Sequence, residues 1–210
     1  MDNSDKVLID WAVATQTLAG QRESGDHHWV KVCGSQALVA VLDGVGHGKE
    51  AARAAQTAIA YLQQLEGESP IALFQRCHEQ LRSMRGVVMS LASFCANDNT
   101  MTWLGVGNVE GVLLHRQFHV LPGQELLLLR PGVLGDYLPR LSASVLQVSA
   151  GDVLIFATDG IRPGFADNTN LNDSPQQIAD RILTQYGQGL DDALVLVARY
   201  CHGKADVTKG

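Results

Sequence analysis

Ten short apolar runs constrain the fold of this 210-residue chain more than any other feature. Many of them close at Gly, Asn or Asp, which is typical of β-strands. The runs occupy residues 10–18, 28–34, 37–43, 86–96, 100–107, 109–115, 124–130, 144–149, 152–159 and 193–200. Turn-length connections fall at Asn97-Asp98-Asn99, Gly107-Asn108, Pro122-Gly123 and Ala150-Gly151. Because parallel strands need long crossover connections, these turns predict antiparallel pairing.

Three further segments have the periodicity of amphipathic helices. Residues 49–65 place Ala and Leu three and four positions apart, on one helical face. The segments 70–84 and 174–187 each begin at a Ser-Pro pair, which suits a helix cap and first turn. Helices that are grouped, rather than alternating with strands, predict an α+β sandwich in which the first two helices cover one sheet.

Composition and charge exclude several classes of protein. Hydrophobic residues make up 46% of the chain, which predicts one folded domain over residues 1–210. The net charge is −6 and no run is rich in Lys or Arg, so we expect no nucleic-acid partner. The apolar runs are too short to span a membrane, and the opening MDNSDKVLID is unlike a signal peptide. Four cysteines without a CxxC pair suit a cytoplasmic protein with no membrane partner.

Carboxylates stand at the ends of the predicted strands. Asp43 and Asp159 each close a strand and are each followed by Gly. Asp26 comes shortly before another strand, and Asp191 and Asp192 directly precede the last one. Mg²⁺ and Mn²⁺ prefer carboxylate, carbonyl and water oxygens. The pattern therefore predicts a metal site, in which two ions can share a water and hold a phosphoryl group for in-line attack.

The loop LDGVGHGKE, at residues 42–50, also invites a nucleotide-binding interpretation. A Walker loop requires GxxxxGK[ST], whereas Asp43 stands where the first Gly should be and Glu50 replaces the hydroxyl residue. The Rossmann pattern fails as well, because the glycines are spaced as GxGxG. The loop does precede a predicted helix, whose N-terminus favours an anion. We interpret it as a segment that positions metal and phosphate together.

Two more side chains are candidates for catalysis. His47 lies in this loop, and its ordinary pKa is close to neutral, so it can donate a proton to a leaving oxygen. Arg22 can contact a phosphate oxygen through a bidentate hydrogen bond. A solvated loop histidine and a surface arginine would give the same sequence, and both alternatives stay open.

Five segments follow one another in the chain: RESGD, LDGVGHG, PGVLG, DVLIFATDG and the late DD. They occur in the order seen in the metal-dependent Ser/Thr protein phosphatases. The chain resembles the bacterial SpoIIE and RsbX branch of that family over roughly residues 8–200. The resemblance implies an α-β-β-α sandwich of two antiparallel sheets flanked by helices. It also implies a binuclear Mn²⁺ or Mg²⁺ site at one edge, where a water that bridges both ions attacks phosphoserine or phosphothreonine.

The resemblance also assigns metal ligands. The matching positions are Asp26, Asp43, Gly44, Asp159, Asp191 and Asp192. Asp43 matches the carboxylate that bridges both ions, and Gly44 matches the residue that lends its carbonyl. Asp26 matches an early acidic position that binds metal directly or through water. Either member of the Asp191-Asp192 pair can point inward, and that alternative stays open.

Two positions depart from the family pattern. Val45 replaces the histidine that follows DG in eukaryotic members, and DDAL replaces the usual DDxT ending. The size of the chain resembles the free-standing members, which implies phosphorylated STAS-domain stressosome proteins as substrates in a sigma-factor stress pathway. The two departures keep an alternative open: a catalytically weak pseudo-phosphatase that binds metal and acts as a protein-binding module.

Overall fold

The computed structural model describes residues 7–65, 67–117 and 123–202. The strands are β1 (Ile9–Gln16), β2 (Asp26–Cys33), β3 (Gln36–Gly44), β4 (Val87–Cys95), β5 (Thr100–Val106), β6 (Glu110–Leu114), β7 (Gln124–Leu126), β8 (Leu129–Arg130), β9 (Ser144–Gln147), β10 (Val153–Ala157) and β11 (Ala193–Tyr200). The helices are α1 (Lys49–Leu62), α2 (Pro70–Leu81) and α3 (Pro175–Tyr186). Both ends of the predicted domain 1–210, and Pro122 of one predicted turn, lie outside the described residues.

The strands form two sheets with helices on their outer faces. One sheet has the order β1-β11-β10-β6-β7, and the other has the order β2-β3-β4-β5-β8, with β9 also paired to β5. Among the described strands, every pair is antiparallel except β5 and β8. Helices α1 and α2 pack on the second sheet, and α3 packs on β1 and β11. The predicted α-β-β-α sandwich is confirmed.

Apolar side chains fill the space between the layers. Phe94 of β4 and Tyr200 of β11 stack between the two sheets, with ring centroids 5.8 Å apart. Phe74 of α2 is fully buried against the second sheet, and Ile178 of α3 is buried against the first. Burial of a side chain of this size contributes about 1.5–3 kcal/mol, so these contacts hold the helices on both faces.

The helix starts follow from local capping. Ser69 Oγ accepts a hydrogen bond from the Ala72 N–H, and α2 begins at the proline that follows the serine. Ser174 forms a capping box with Gln177 at the start of α3. Both predicted starts are confirmed. The predicted C-terminal ends of the three helices lie one to three residues beyond the observed ends. These ends carry weaker sequence signals than the capped starts.

The apolar run at 124–130 forms two strands, and the prediction of one strand is wrong. β7 pairs with β6 in the first sheet, whereas β8 pairs with β5 in the second. Between them, the Leu127 N–H donates to the Gly111 carbonyl, and the Leu127 side chain is buried between the sheets. A Cβ at Gly111 would lie only 3.0 Å from Leu127 Cβ, so the missing side chain makes room for the crossing. A uniform run of leucines contains no signal for this change of sheet.

Candidate active site

One edge of the sandwich collects the strand ends that carry the predicted carboxylates. β2 begins at Asp26 and β3 ends at Asp43-Gly44, and the two aspartates lie directly opposite each other in the antiparallel register. In the other sheet, Asp159 follows β10, and the Asp191-Asp192 pair precedes β11. Two hydrogen bonds between the sheets bring these groups together: Thr158, directly before Asp159, donates to Asp26, and the N–H of Gly25, directly before Asp26, donates to Asp192.

Thr158 ties the two sheets together at this edge. Its hydroxyl donates to Asp26 Oδ2 at 2.7 Å, and its Oγ1 accepts from the Leu194 N–H at 2.8 Å. Both contacts are buried, so they fix the Asp26 carboxylate of one sheet against β11 of the other. The sequence analysis missed Thr158. The available signal was a hydroxyl residue directly before a strand-terminal Asp-Gly.

Burial and mutual repulsion make the carboxylates hard to ionise. Burial is the largest cause that raises the pKa of Asp43, to about 8, and the charges of neighbouring aspartates add to it. Burial likewise raises the pKa of Asp26 to about 7, against the lowering effect of the Thr158 hydrogen bond. A bound divalent cation would favour the ionised forms, because an opposite charge nearby lowers a carboxyl pKa.

Asn108 holds the carboxylate of Asp159. Its Nδ2 donates to Asp159 Oδ2 at 2.7 Å from the turn between β5 and β6. Burial and then the charge of Asp191 raise the pKa of Asp159, and this hydrogen bond opposes them. Gln188 donates to the Asp159 carbonyl at 2.8 Å. The sequence analysis treated Asn108 only as a turn residue, since its position in a Gly-Asn pair accounts fully for its presence there.

The Asp191-Asp192 pair divides into two different roles. Asp192 is buried, and both its oxygens accept from backbone N–H groups, Oδ1 from Leu18 at 2.8 Å and Oδ2 from Gly25 at 2.7 Å. Asp191 is exposed, and its Oδ1 accepts from the Asp192 N–H at 2.8 Å. Asp192 therefore anchors the loop that leads into Asp26, whereas Asp191 keeps an exposed carboxylate at the edge.

Both Asp-Gly pairs have a packing reason as well as the predicted chemical one. A Cβ at Gly44 would overlap the backbone of Ala51 in the first turn of α1. A Cβ at Gly160 would overlap the Asp192 carbonyl oxygen. Because a glycine follows each aspartate, the backbone at Gly44 packs directly against α1, and the backbone at Gly160 packs directly against the residues before β11. Both elements therefore lie close to the carboxylate edge.

The loop at 45–48 places His47 in solvent. His47 is exposed, and its Nδ1 lies 3.4 Å from Gln21 Nε2. Helix α1 follows Gly48 without a side-chain cap, so the structure supports the predicted exposure of its first N–H groups. Arg85, which the sequence analysis missed, packs on this loop: its Nη1 lies 3.4 Å from the Val45 carbonyl, and its Nε pairs with Glu50 at 2.7 Å.

The other predicted catalytic residue, Arg22, lies in the exposed loop before β2. Within the described ranges, its guanidinium forms no hydrogen bond or ion pair. It is therefore available to an external anion, but no contact with the described residues orients it.

The donor chemistry of the edge fits hard divalent cations. Within the described ranges, no three or more His, Cys, Asp or Glu side chains are already drawn together as a ligand set. The charges of Asp159 and Asp191 nevertheless raise the pKa of both Asp26 and Asp43, and the Gly44 backbone stands at the same edge. Oxygen donors of this kind suit Mg²⁺ and Mn²⁺.

Comparisons with known proteins match nearly the whole chain. A family model described as Stage II sporulation protein E (SpoIIE) matches residues 34–201. Phosphoserine phosphatase RsbX of Bacillus subtilis (strain 168) is 21% identical over 184 residues, which cover 86% of this chain and 89% of RsbX. No helix in the described ranges has the length and apolar character needed to cross a membrane.

Solved structures share the same sandwich. One solved chain comes from a structure of the bacterial stressosome, which is described as a modular system that has been adapted to control secondary messenger signaling. It is 31% identical with a TM-score of 0.82, and the match covers 91% of this chain and 99% of that one. RsbX in complex with magnesium is 20% identical with a TM-score of 0.80, covering 91% and 95% of the two chains. The predicted family is confirmed, as is the predicted enzyme class, because these homologues include hydrolases. The chain belongs to the SpoIIE family of PP2C-type phosphatases.

Proposed function

We propose that this protein is a Mn²⁺- or Mg²⁺-dependent phosphatase that hydrolyses phosphoserine or phosphothreonine on a signalling protein. The observation that carries this proposal is the meeting of Asp26, Asp43 and Asp159 from two sheets at one edge. Support comes from RsbX, which is named a phosphoserine phosphatase and has been solved with magnesium.

Two ions would be held by Asp43, the Gly44 carbonyl, Asp159 and Asp191, with Asp26 binding one of them directly or through water. When bound, such ions lower the pKa of water and offset the charge of a phosphoryl group. The buried carboxylate of Asp192 already accepts two backbone N–H groups, so its role is to fix the loop before Asp26. This arrangement favours Asp191 over Asp192 as the ligand.

Other side chains of the protein orient the metal-binding carboxylates and donate a proton to the leaving group. Thr158 holds Asp26, and Asn108 holds Asp159, so both carboxylates are positioned before an ion arrives. His47 lies in the exposed loop that leads from Gly44 to α1, and its imidazole would protonate the serine oxygen as it leaves. Arg22 would contact a phosphate oxygen from the exposed loop before β2, and the uncapped start of α1 favours the same anion.

For the substrate, we propose phosphorylated STAS-domain proteins of a stressosome, within a sigma-factor stress pathway. The support is the likeness to RsbX and to the chain from the stressosome work. We place the reaction in the cytoplasm. All four cysteines of the chain are free thiols, which suits a reducing compartment.

The test is hydrolysis of a phosphoserine peptide with Mn²⁺, with Mg²⁺ and with EDTA. We expect turnover with metal and none with chelator, because the carboxylates at the edge suit a metal-bound water as the nucleophile. Full activity in EDTA, or a trapped phosphoenzyme, would contradict the proposal. A protein that binds Mn²⁺ and a phosphorylated partner without turnover would instead favour the pseudo-phosphatase, which the exposed Val45 and the DDAL ending motivate.

A further inference from the structure

We propose that an arginine-lined cavity beside the carboxylate edge binds a second anionic group of the substrate protein, a carboxylate or a further phosphate near the phosphoserine. The cavity measures about 340 Å³ and is lined by Arg130, Arg140, Leu141 and Ser142. This inference rests on the proposed function, since it concerns how the phosphatase selects its substrate.

The cavity lies beside the edge of β5 that faces away from β4. β8 pairs with the end of β5, so that Arg130 lies opposite Val106, and β9 pairs with the start of the same strand. Arg140 and the residues after it form the segment that leads into β9. The two arginines therefore reach one cavity from both sides of a gap between β8 and β9.

This position is close to the carboxylate edge. The Gly107 N–H donates to the Arg130 carbonyl at 2.9 Å, and the next residue, Asn108, contacts Asp159. Extended backbone advances about 3.3 Å per residue, so a bound peptide needs only a few residues to connect the two places. A substrate with its phosphoserine at the carboxylates can therefore place a neighbouring side chain in the cavity.

No residue in the described ranges pairs with the guanidinium charge of the cavity. Within the part of the chain that the structure describes, neither the Arg130 nor the Arg140 guanidinium forms a hydrogen bond or an ion pair. Other arginines do, such as Arg76 with Glu68 at 2.9 Å. Two unpaired guanidinium groups at one cavity repel each other, and an oxyanion between them relieves that repulsion. Guanidinium binds carboxylate and phosphate through bidentate hydrogen bonds, which makes it selective for these groups.

The test uses a set of phosphoserine peptides that differ in the position of a single Glu. In each peptide the Glu occupies one position between four residues before and four residues after the phosphoserine, and Gln occupies the others. We expect one position of Glu to lower KM at least about fivefold relative to the all-Gln peptide. In the double variant Arg130→Gln/Arg140→Gln this preference should disappear, while hydrolysis of p-nitrophenyl phosphate stays unchanged. A second phosphoserine in place of that Glu tells which anion the cavity prefers.

Arg76→Gln is the matched control, because it removes an arginine whose partner is Glu68 rather than a substrate. A Glu preference that survives in the double variant, or that is absent in the wild type, would overturn the inference. So would a double variant that is altered only in its inhibition by inorganic phosphate. Failure to hydrolyse either kind of substrate with Mn²⁺ would instead count against the proposed function, so the two failures are distinguishable.

Discussion

The Asp43→Asn substitution should stabilise the metal-free protein at alkaline pH while removing its phosphatase activity. Burial and neighbouring carboxylates raise the pKa of Asp43 from 3.8 to about 8 in the folded protein. The unfolded chain ionises this group near its ordinary value. Between about pH 4 and pH 8 the folded state therefore binds more protons than the unfolded state, and its stability falls as the pH rises. Asparagine has no charge to bury, so it escapes this loss.

The size of the effect follows from the pKa difference. A change of roughly four pKa units corresponds to at most about 6 kcal/mol, at about 1.4 kcal/mol per unit. Relaxation of the exposed Asp159 and Asp191 carboxylates reduces this figure, and we expect a gain of about 2–4 kcal/mol at pH 9. At pH 5 the folded wild type still has Asp43 protonated, so the gain should be much smaller.

The assay is urea unfolding in EDTA at pH 5 and pH 9. Asp98→Asn is the matched control, because Asp98 is exposed and a hydrogen bond from Thr100 lowers its pKa. We expect no gain in the control at either pH. With saturating Mn²⁺ the order should reverse, because only the wild type retains all its ligands. A variant that is no more stable than wild type at pH 9, or that gains equally at both pH values, would refute the reasoning.

Three further predictions concern the groups around Asp43. Asp159→Asn should lower kcat/KM for a phosphopeptide at least about 10–100-fold. Asn108→Ala should lower it less, because Asn108 only orients Asp159, and equal losses in the two variants would contradict that order. His47→Ala should slow phosphoserine hydrolysis about 10²–10⁴-fold but nitrophenyl phosphate hydrolysis little, since nitrophenolate leaves without a proton; small equal effects would place His47 outside the reaction. Asp192→Asn should lower the free energy of unfolding by about 1–3 kcal/mol, because its amide cannot accept both N–H groups; an unchanged urea midpoint would argue against the anchoring role.

Local patterns in the sequence were enough to predict most helices and strands and the carboxylates at the strand ends. The Ser-Pro pairs at 69–70 and 174–175 mark helix starts through contacts within four residues, so no tertiary information is needed. Strand-terminal Asp43 and Asp159 were visible because an apolar run stops at a charged residue followed by Gly. Short turns then implied antiparallel sheets. The strand-end carboxylates predicted a metal site, and the family resemblance added the α-β-β-α sandwich, the position of the site at one edge and the assignment of each ligand.

Only the tertiary structure decided what each side chain at the edge contacts. Asp191 and Asp192 are neighbours of one type, and their roles differ because only Asp192 meets the N–H groups of Leu18 and Gly25, more than 160 residues away in the chain. Thr158 matters because the end of β10 and the start of β2, which belong to different sheets, meet at this edge.

The same reason applies to the arginine cavity and to the strand run at 124–130. Arg130 and Arg140 are ten positions apart, in a segment without helical or strand periodicity. They share a cavity only because β8 and β9 both pair with β5. The leucine run divides between two sheets because Gly111, on another strand, leaves room for Leu127. Sequence periodicity reports which residues are buried, whereas the partner of a buried or paired group depends on strand order and register, which are long-range properties of the fold.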